Sequence, residues 1–336
     1  MNILGIETSC DETSAAVLSG DFSIASSVVL SQDEIHAPYG GVVPELASRQ
    51  HILSISYVVE ESLLRAGLEL RDIDVYSVTQ GPGLIGSLLV GLSYAKALGY
   101  AFRKPVIPVD HLEAHVYSAF LENRQIRFPV LALLVSGGHT SLLWMEKEFT
   151  YELVGRTRDD AAGEALDKIA KYLGLGYPGG PIIDKLAADG DPQAFRLAPP
   201  HMSDGSADFS FSGFKTAALR NIREQSLIPT HPGLRDFLAG FEASVVRALL
   251  HNVDRAVRDR EPESLILCGG VARNRRLRRE FEAYARKSGI PAYVPSPDFC
   301  TDNAAMVAGL ALARLERGEA PESGLALNAY ARKQAG

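Results

Sequence analysis

The chain has 336 residues, 46% hydrophobic and 22% charged, and this balance excludes a disordered, collagen-like or coiled-coil protein. At roughly 150 residues per domain, the length predicts two domains. The 34 basic against 41 acidic residues give a net charge of −7, which disfavours a uniformly basic nucleic-acid binder but permits a local basic patch. The sequence has three cysteines without CxxC spacing and no signal-like N-terminus. It also has no apolar run near the roughly 20 residues that span a bilayer. We therefore predict a cytoplasmic protein without membrane contact.

Strands alternate with helices along the chain, an order typical of an α/β fold. In the first half we predict strands 2–6, 14–18 and 23–31, helix 44–66, strand 75–79, helix 87–98, strand 105–109 and a helix from His111. In the second half we predict strands 130–135, 141–145 and 149–154, a helical insertion over about 158–260, strand 264–267, helix 274–287, strand 291–294 and helix 302–317.

The two halves repeat one topology, which predicts two similar lobes around a central cleft. Residues 1–110 with about 302–336 would form the first lobe, and about 111–301 the second. One large open sheet with a helical cap is the alternative.

Glycine-rich turns follow several predicted strands. The run from Gly81 to Gly86 fits the GxGxxG dinucleotide fingerprint, but a tight turn with close packing is the preferred interpretation because no residues for hydride chemistry accompany it. Two glycines at 137 and 138 can expose backbone N–H groups to an anion, with a plain hairpin turn as the alternative. Five arginines at 273, 275, 276, 278 and 279 have a solvated helix face as their usual explanation, with a phosphate-rich partner as the functional alternative.

His111 and His115 are four residues apart, so they share one face of the predicted helix, as a metal site requires. An HExxH protease site has its glutamate directly after the first histidine, whereas Glu113 is two residues after His111, so this is not a site of that kind. Asp302 begins the corresponding helix of the second half, and the duplication would bring it opposite the histidines across the cleft. Two histidines and one carboxylate leave open coordination positions, a donor set that favours Fe²⁺ and that Zn²⁺ also accepts.

These motifs together resemble the TsaD family of tRNA threonylcarbamoyladenosine synthesis proteins over nearly the whole chain. The motifs that carry the resemblance are GIETSCDETS, HAPYGGVVPELASRQH, GPGLIGSLLVG, DHLEAH, LLVSGGHTSL, DDAAGEALDK, YPGGP, FSFSGFKTA, GGVARN and TDNAAMVA. The resemblance implies an actin-like ATPase-domain fold. It also implies transfer of a threonylcarbamoyl group from threonylcarbamoyl-adenylate to the N6 amine of adenosine 37 in tRNA, with AMP leaving.

The resemblance also implies site residues and partners. His111, His115 and Asp302 would hold one divalent metal ion per subunit, Fe²⁺ or alternatively Zn²⁺. The residues implied to line the adenylate site are Leu134, Val135, Ser136, Gly137, Gly138, Asp167, Gly180, Asp184 and Asn274. Expected partners are tRNA and TsaB-like and TsaE-like proteins. An actin-like ATPase or sugar kinase, or a non-catalytic scaffold, is the alternative.

Two further features of the first half bear on function. Asp11 and Glu12, in the first hairpin turn, should face the cleft, where either can accept a proton from the amine. Helix 44–66 is apolar around more than the roughly 100° stripe of a surface helix, which predicts an interface with the TsaB-like partner on this helix and helix 87–98. We expect Ile55 and Val59 on its outward side; burial of both sides is the alternative. Composition assigns no role to the stretch from His36 to His51.

Overall fold

The computed structural model describes residues 1–198, 202, 204–318 and 324–332. The strands of the described chain are β1 Asn2–Glu7, β2 Glu12–Ser19, β3 Ile24–Ser31, β4 Val75–Gly81, β5 Val106–Asp110, β6 Val130–Val135, β7 Thr140–Met145, β8 Glu152–Arg156, β9 Ser264–Cys268 and β10 Ala292–Tyr293. The helices are α1 Asp33–His36, α2 Pro44–Ala66, α3 Ile85–Phe102, α4 His111–Glu122, α5 Ala162–Tyr172, α6 Gly179–Ala187, α7 Ser212–Glu224, α8 Leu234–Arg260, α9 Arg275–Ser288, α10 Pro297–Cys300 and α11 Ala304–Glu316.

The chain divides into a first unit, Met1–Arg124 with Thr301–Gly336, and a second unit, Gln125–Cys300. The division falls after Arg124, whereas the sequence suggested a boundary after Asp110. The reason is that α4 packs against α11 and thereby stays with the first unit.

Each unit contains one five-stranded mixed sheet, and the two sheets have the same topology. The first has the order β3-β2-β1-β4-β5 and the second the order β8-β7-β6-β9-β10. In both, the first three strands are antiparallel neighbours and the last two run parallel to the first. The predicted α/β class and duplication are confirmed, and one large open sheet is excluded for the described residues.

The strands are apolar enough to be covered on both faces. Every residue of β6 (VLALLV) is buried, the pattern of a strand between layers rather than at a surface. In the first unit α2 packs on β2 and β3, and α11 packs on β1 and β2. In the second unit the core joins β6, β7 and β9 to α5, α7, α8 and α9.

The GxGxxG run serves close packing, as the preferred interpretation expected. A Cβ on Gly83 would lie 2.5 Å from the carbonyl oxygen of Ser9, and one on Gly86 would lie 2.5 Å from the hydroxyl of Ser48. Since no real Cβ contact is this short, glycine is required where α3 meets its neighbours.

Helices α2 and α3 carry exposed apolar side chains, but not those the sequence suggested. Ile55 and Val59 are 4% and 1% exposed, so the expectation that they face outward was wrong. The exposed set on the two helices is Ile52, Leu53, Tyr57, Leu64, Ile85, Leu89 and Tyr100. By length and composition α3 is also the one described helix apolar enough to cross a membrane, and a third of it is buried within the protein.

Candidate functional site

Helix α4 begins at the first of the two predicted metal-binding histidines. Asp110 caps it, since one carboxylate oxygen accepts the backbone N–H groups of Leu112 at 2.9 Å and Glu113 at 3.2 Å. The cap fixes the first turn, and the four-residue spacing then brings the rings of His111 and His115 to a centroid distance of 4.6 Å. Glu113 pairs instead with Arg314 of α11, as expected for a residue off the histidine face.

His111, His115 and Asp302 converge at one point of the first unit. Nε2 of His115 lies 2.9 Å from Oδ1 of Asp302, and Nε2 of His111 lies 3.7 Å from the same oxygen. One ligand atom from each residue lies within 4.8 Å of the others, a spacing that lets a single metal ion contact all three. The sequence placed Asp302 across a cleft from the histidines; all three instead belong to the same unit.

The electrostatics of the three residues suit a cation. Both histidines are buried, and Asp302 is 16% exposed. Burial opposes the charged form of His111, but the carboxylates of Asp302 and Glu7 outweigh it and raise the pKa of His111 to about 9. The two carboxylates therefore place a negative potential around the ring nitrogens of His111.

Asp11 and Glu12 lie beside this group, at the turn from β1 into β2. Burial, followed by the charges of Asp11 and Asp302, raises the pKa of Glu12 well above its usual range. Burial and the same neighbouring carboxylates hold the pKa of the Cys10 thiol well above its ordinary value, so Cys10 stays protonated at neutral pH. The turn thus carries one carboxyl group, that of Glu12, whose pKa is raised.

A buried histidine that sequence reasoning left without a role supports this turn. Nε2 of His51 lies 2.9 Å from the carbonyl of Cys10, which only accepts, so Nε2 carries the proton. Nδ1 therefore accepts from the hydroxyl of Thr13 at 2.8 Å. Burial lowers the pKa of His51, in keeping with this neutral form.

Gln32 links the same turn to a second buried histidine. Its backbone N–H donates to the carbonyl of Asp11 at 3.1 Å, and its side-chain oxygen lies 3.2 Å from Nε2 of His36. Nδ1 of His36 accepts the N–H of Val43 at 3.3 Å. The stretch 32–51 thus holds residues 10–13 in place through hydrogen bonds. The two segments are distant in sequence, and the fold brings them into contact.

In the second unit, the Ser136–His139 turn joins β6 to β7. The Ser136 N–H donates to the carbonyl of His139 at 2.7 Å, and the His139 N–H donates to the Ser136 hydroxyl at 3.0 Å. Gly137 and Gly138 are exposed, with open space where side chains would project. The side chains of Leu134 and Val135 are fully buried, so only their backbone can face a ligand.

Asp167 ties α5 to the start of α6. Its Oδ1 accepts the N–H groups of Gly179 at 2.8 Å and Gly180 at 3.1 Å. A Cβ on Gly179 would collide with the backbone of Asp167, 2.8 Å away. The YPGGP motif is therefore held against α5 by this carboxylate.

Asn274 and Asp184 also make structural hydrogen bonds. Oδ1 of Asn274 caps α9 by accepting the N–H of Leu277 at 2.8 Å, and its Nδ2 donates to buried Glu242 at 2.6 Å. Asp184 accepts from Nε of Arg275 at 2.8 Å. The nucleotide contacts that the sequence suggested for these residues would thus add to roles they already have.

The predicted arginine patch is smaller than the sequence suggested. Arg275 is paired with Asp184, Arg276 with Glu242 and Glu280, and Arg278 donates to the carbonyls of Ala272 and Pro295. Arg273 and Arg279 are exposed, and their side chains make no hydrogen bond or ion pair with any residue that the structure describes.

Comparison with known proteins identifies the family. A family model described as tRNA N6-adenosine threonylcarbamoyltransferase (TsaD) matches residues 23–309. The enzyme of that name from Geotalea uraniireducens is 50% identical over 308 residues, 92% of this chain and 90% of the relative. The one from Caldicellulosiruptor bescii is 47% identical over 318 residues, 95% of this chain and 94% of the relative.

A solved structure supports the fold. Component A of the (R)-2-hydroxyglutaryl-CoA dehydratase of Acidaminococcus fermentans superposes with a TM-score of 0.58 at 17% identity, covering 94% of this chain and 99% of that one. The duplicated units are those of the actin-like ATPase-domain fold. The chain therefore belongs to the TsaD family and is a transferase of the kind that forms threonylcarbamoyladenosine in tRNA.

Proposed function

We propose that this chain transfers the threonylcarbamoyl group from threonylcarbamoyl-adenylate to the N6 amine of adenosine 37 in tRNA and releases AMP. The observation that carries the proposal is the convergence of His111, His115 and Asp302 in a chain of the TsaD family. In this reaction the adenosine nitrogen forms a bond to the carbamoyl carbon as the bond from that carbon to the phosphate oxygen breaks. The amine proton passes to a carboxylate, and the bond electrons leave with AMP.

Asp11 and Glu12 are the proposed proton acceptors. Both lie at the turn next to the histidine–aspartate group, and burial, followed by the charges of Asp11 and Asp302, raises the pKa of Glu12. A proton acceptor positioned in this way contributes about 10²–10⁴-fold to a transfer rate.

We propose that His111, His115 and Asp302 hold one divalent ion, Fe²⁺ or alternatively Zn²⁺. The mixed nitrogen and oxygen donor set fits both ions. Such an ion would act as a Lewis acid on the threonylcarbamoyl group. The test is elemental analysis of the wild type, the His111→Ala/His115→Ala variant and a His251→Ala control that removes an exposed histidine of α8. We expect only the double variant to lose its metal; retention of stoichiometric metal by that variant would contradict the assignment.

The adenylate is proposed to bind the second unit. The exposed Gly137 and Gly138 offer backbone N–H groups to the phosphate, a type of stabilisation that also suits the departing AMP. Asp167, Gly180, Asp184 and Asn274 support this proposal by fixing the loops at α6 and α9.

We propose that tRNA is recognised through a small basic surface and an unstacked base. Arg273 and Arg279 are exposed and unpaired among the described residues, so they are available to phosphates. Adenosine 37 lies in a single-stranded loop, where a base can leave the stack at modest cost. With tRNA as its substrate, the enzyme is proposed to work in the cytoplasm.

We propose that the exposed apolar side chains of α2 and α3 bind the TsaB-like partner, with a TsaE-like protein as a further component. Leu53, Tyr57 and Leu64 lie on one side of α2 and are 77%, 60% and 74% exposed. Large apolar side chains grouped in this way usually mark an interface.

A charge on this surface tests the partner proposal. We expect Leu53→Glu to stay folded but to lose co-purification with the TsaB-like protein. Leu153→Glu is the matched control, because Leu153 is 50% exposed and lies in the second unit. Unchanged pairing of Leu53→Glu would place the interface elsewhere.

Reconstitution tests the reaction. The chain is incubated with threonylcarbamoyl-adenylate, unmodified tRNA and the two partner proteins, and the digested nucleosides and free AMP are measured. We expect one AMP for each modified adenosine. Phosphate release from ATP or phosphorylation of a sugar by the chain alone, without nucleoside modification, would instead support the ATPase or kinase alternative.

A further inference from the structure

Glu7 is a fully buried carboxylate at the end of β1, and neither the metal ligands nor the proton acceptors include it. One of its oxygens accepts the N–H of Ser9 at 2.5 Å. The other accepts the hydroxyl proton of Thr79 and lies 3.2 Å from Nδ1 of His111. A buried carboxylate is costly unless it is paired, and here every partner is a donor.

The protonation of this pair follows from its partners. Nδ1 of His111 faces the Glu7 oxygen that also accepts from Thr79, and the hydroxyl of Ser9 lies at the same distance of 3.2 Å from Nδ1. Since both oxygens of this carboxylate already accept from other donors, the matching arrangement at His111 is one in which Nδ1 carries the proton and donates it to Glu7. Nε2 is then the nitrogen turned toward Asp302, 3.7 Å away.

The second histidine provides an internal contrast. His115 is fully buried, and its Nδ1 has no hydrogen-bond partner among the described residues. Among the described residues, its ring is hydrogen-bonded through Nε2, to Asp302. Of the two histidines, only His111 has a carboxylate behind the ring.

We propose that Glu7 is a positioning residue for His111: it holds the ring and keeps the proton on Nδ1, so that Nε2 is the nitrogen presented to a metal ion. This inference rests on the proposed metal site. Carboxylates behind metal-binding histidines act in this way, and their loss typically weakens metal binding by about 10–100-fold. Thr79 and Ser9 in turn hold Glu7 in place, which links β4 and the β1–β2 turn to α4.

Glu7→Gln is the direct test, because it removes the charge and keeps the shape. Zn²⁺ affinity is measured against a competing chelator, with Glu113→Gln as the control for a carboxylate on α4 that pairs with Arg314 rather than with a histidine. We expect about 10–100-fold weaker binding in Glu7→Gln and wild-type binding in the control. Wild-type affinity in Glu7→Gln would overturn the inference.

A second readout needs no metal. A proton on Nδ1 that is hydrogen-bonded to a carboxylate gives a downfield resonance in proton NMR of histidine-labelled protein. We expect this resonance for His111 in the wild type and its loss or upfield shift in Glu7→Gln; its absence from the wild type would overturn the inference.

Thr79→Val covers the case in which Glu7→Gln does not fold. It leaves the carboxylate in place and removes only the hydroxyl that holds it, so we expect a smaller loss of Zn²⁺ affinity and a smaller shift of the resonance. No change in either would contradict the proposal. If Asp302→Ala binds Zn²⁺ as the wild type does, the metal site itself is wrong, and the resonance still decides the role of Glu7.

Discussion

Asn274→Ala should destabilise the second unit by a calculable amount. The asparagine is 8% exposed and makes two hydrogen bonds, one to the N–H of Leu277 and one to the carboxylate of Glu242. Loss of the helix cap costs about 1 kcal/mol. Loss of a donor to a buried carboxylate, which is 3% exposed here, costs about 1–3 kcal/mol. Together the two terms predict a decrease of about 2–4 kcal/mol in the free energy of unfolding.

Urea unfolding followed by tryptophan fluorescence is a suitable assay, because the chain has one tryptophan and Trp144 lies in β7 of the second unit. Asn274→Ser is the control, since a serine hydroxyl can still cap α9 while the bond to Glu242 is lost. We expect the serine variant to be about 1 kcal/mol more stable than the alanine variant. An alanine variant as stable as the wild type, or a serine variant no better than alanine, would refute the account of Asn274. Adenylate binding should be compared only under conditions in which both variants are folded.

The remaining predictions concern proton transfer, pH and tRNA. Glu12→Gln should lower the transfer rate by about 10²-fold or more while leaving adenylate affinity unchanged, as single-turnover kinetics can show; an unchanged rate would remove Glu12 from the reaction. The pKa of His51 is lowered in the folded protein, so its contribution to stability is present above the unfolded pKa of about 6.5 and is lost as the pH falls through the lower folded value. Thermal unfolding from pH 7.5 down to 5.5 should therefore show a steeper loss of stability in the wild type than in His51→Gln, and equal slopes would contradict this. Arg273→Ala and Arg279→Ala should each weaken tRNA binding and lower, by about one, the slope of the logarithm of Kd against the logarithm of the salt concentration. An unchanged slope would place the tRNA elsewhere.

Element order and topology could be predicted from the sequence because they depend on local periodicity. Helix 44–66 and strand 130–135 have the predicted bounds, and the order of hairpin, third strand, helix and parallel strands occurs in both units. The histidine pair could be predicted for the same reason, since a four-residue spacing on a helix fixes a shared face.

The contacts between distant segments could not be predicted in this way. Glu7 and His111 are 104 residues apart, and Glu242 reaches Asn274 from the middle of a long helix. Periodicity also does not show which side of an almost wholly apolar helix meets the sheet, and so Ile55 and Val59 were placed on the wrong side of α2. His111 and His115 were assigned to the second lobe, away from Asp302, because topology alone does not show that α4 and α11 pack together.

Transfer of a labelled threonyl group from threonylcarbamoyl-adenylate to tRNA is the most direct test of the proposed function. The measurement uses the chain with its partner proteins, one tRNA with adenosine at position 37 and the same tRNA with guanosine there. We predict label on the first tRNA only, and none with Asp302→Ala despite a wild-type circular dichroism spectrum. Equal labelling of both tRNAs, or full labelling by Asp302→Ala, would contradict the account.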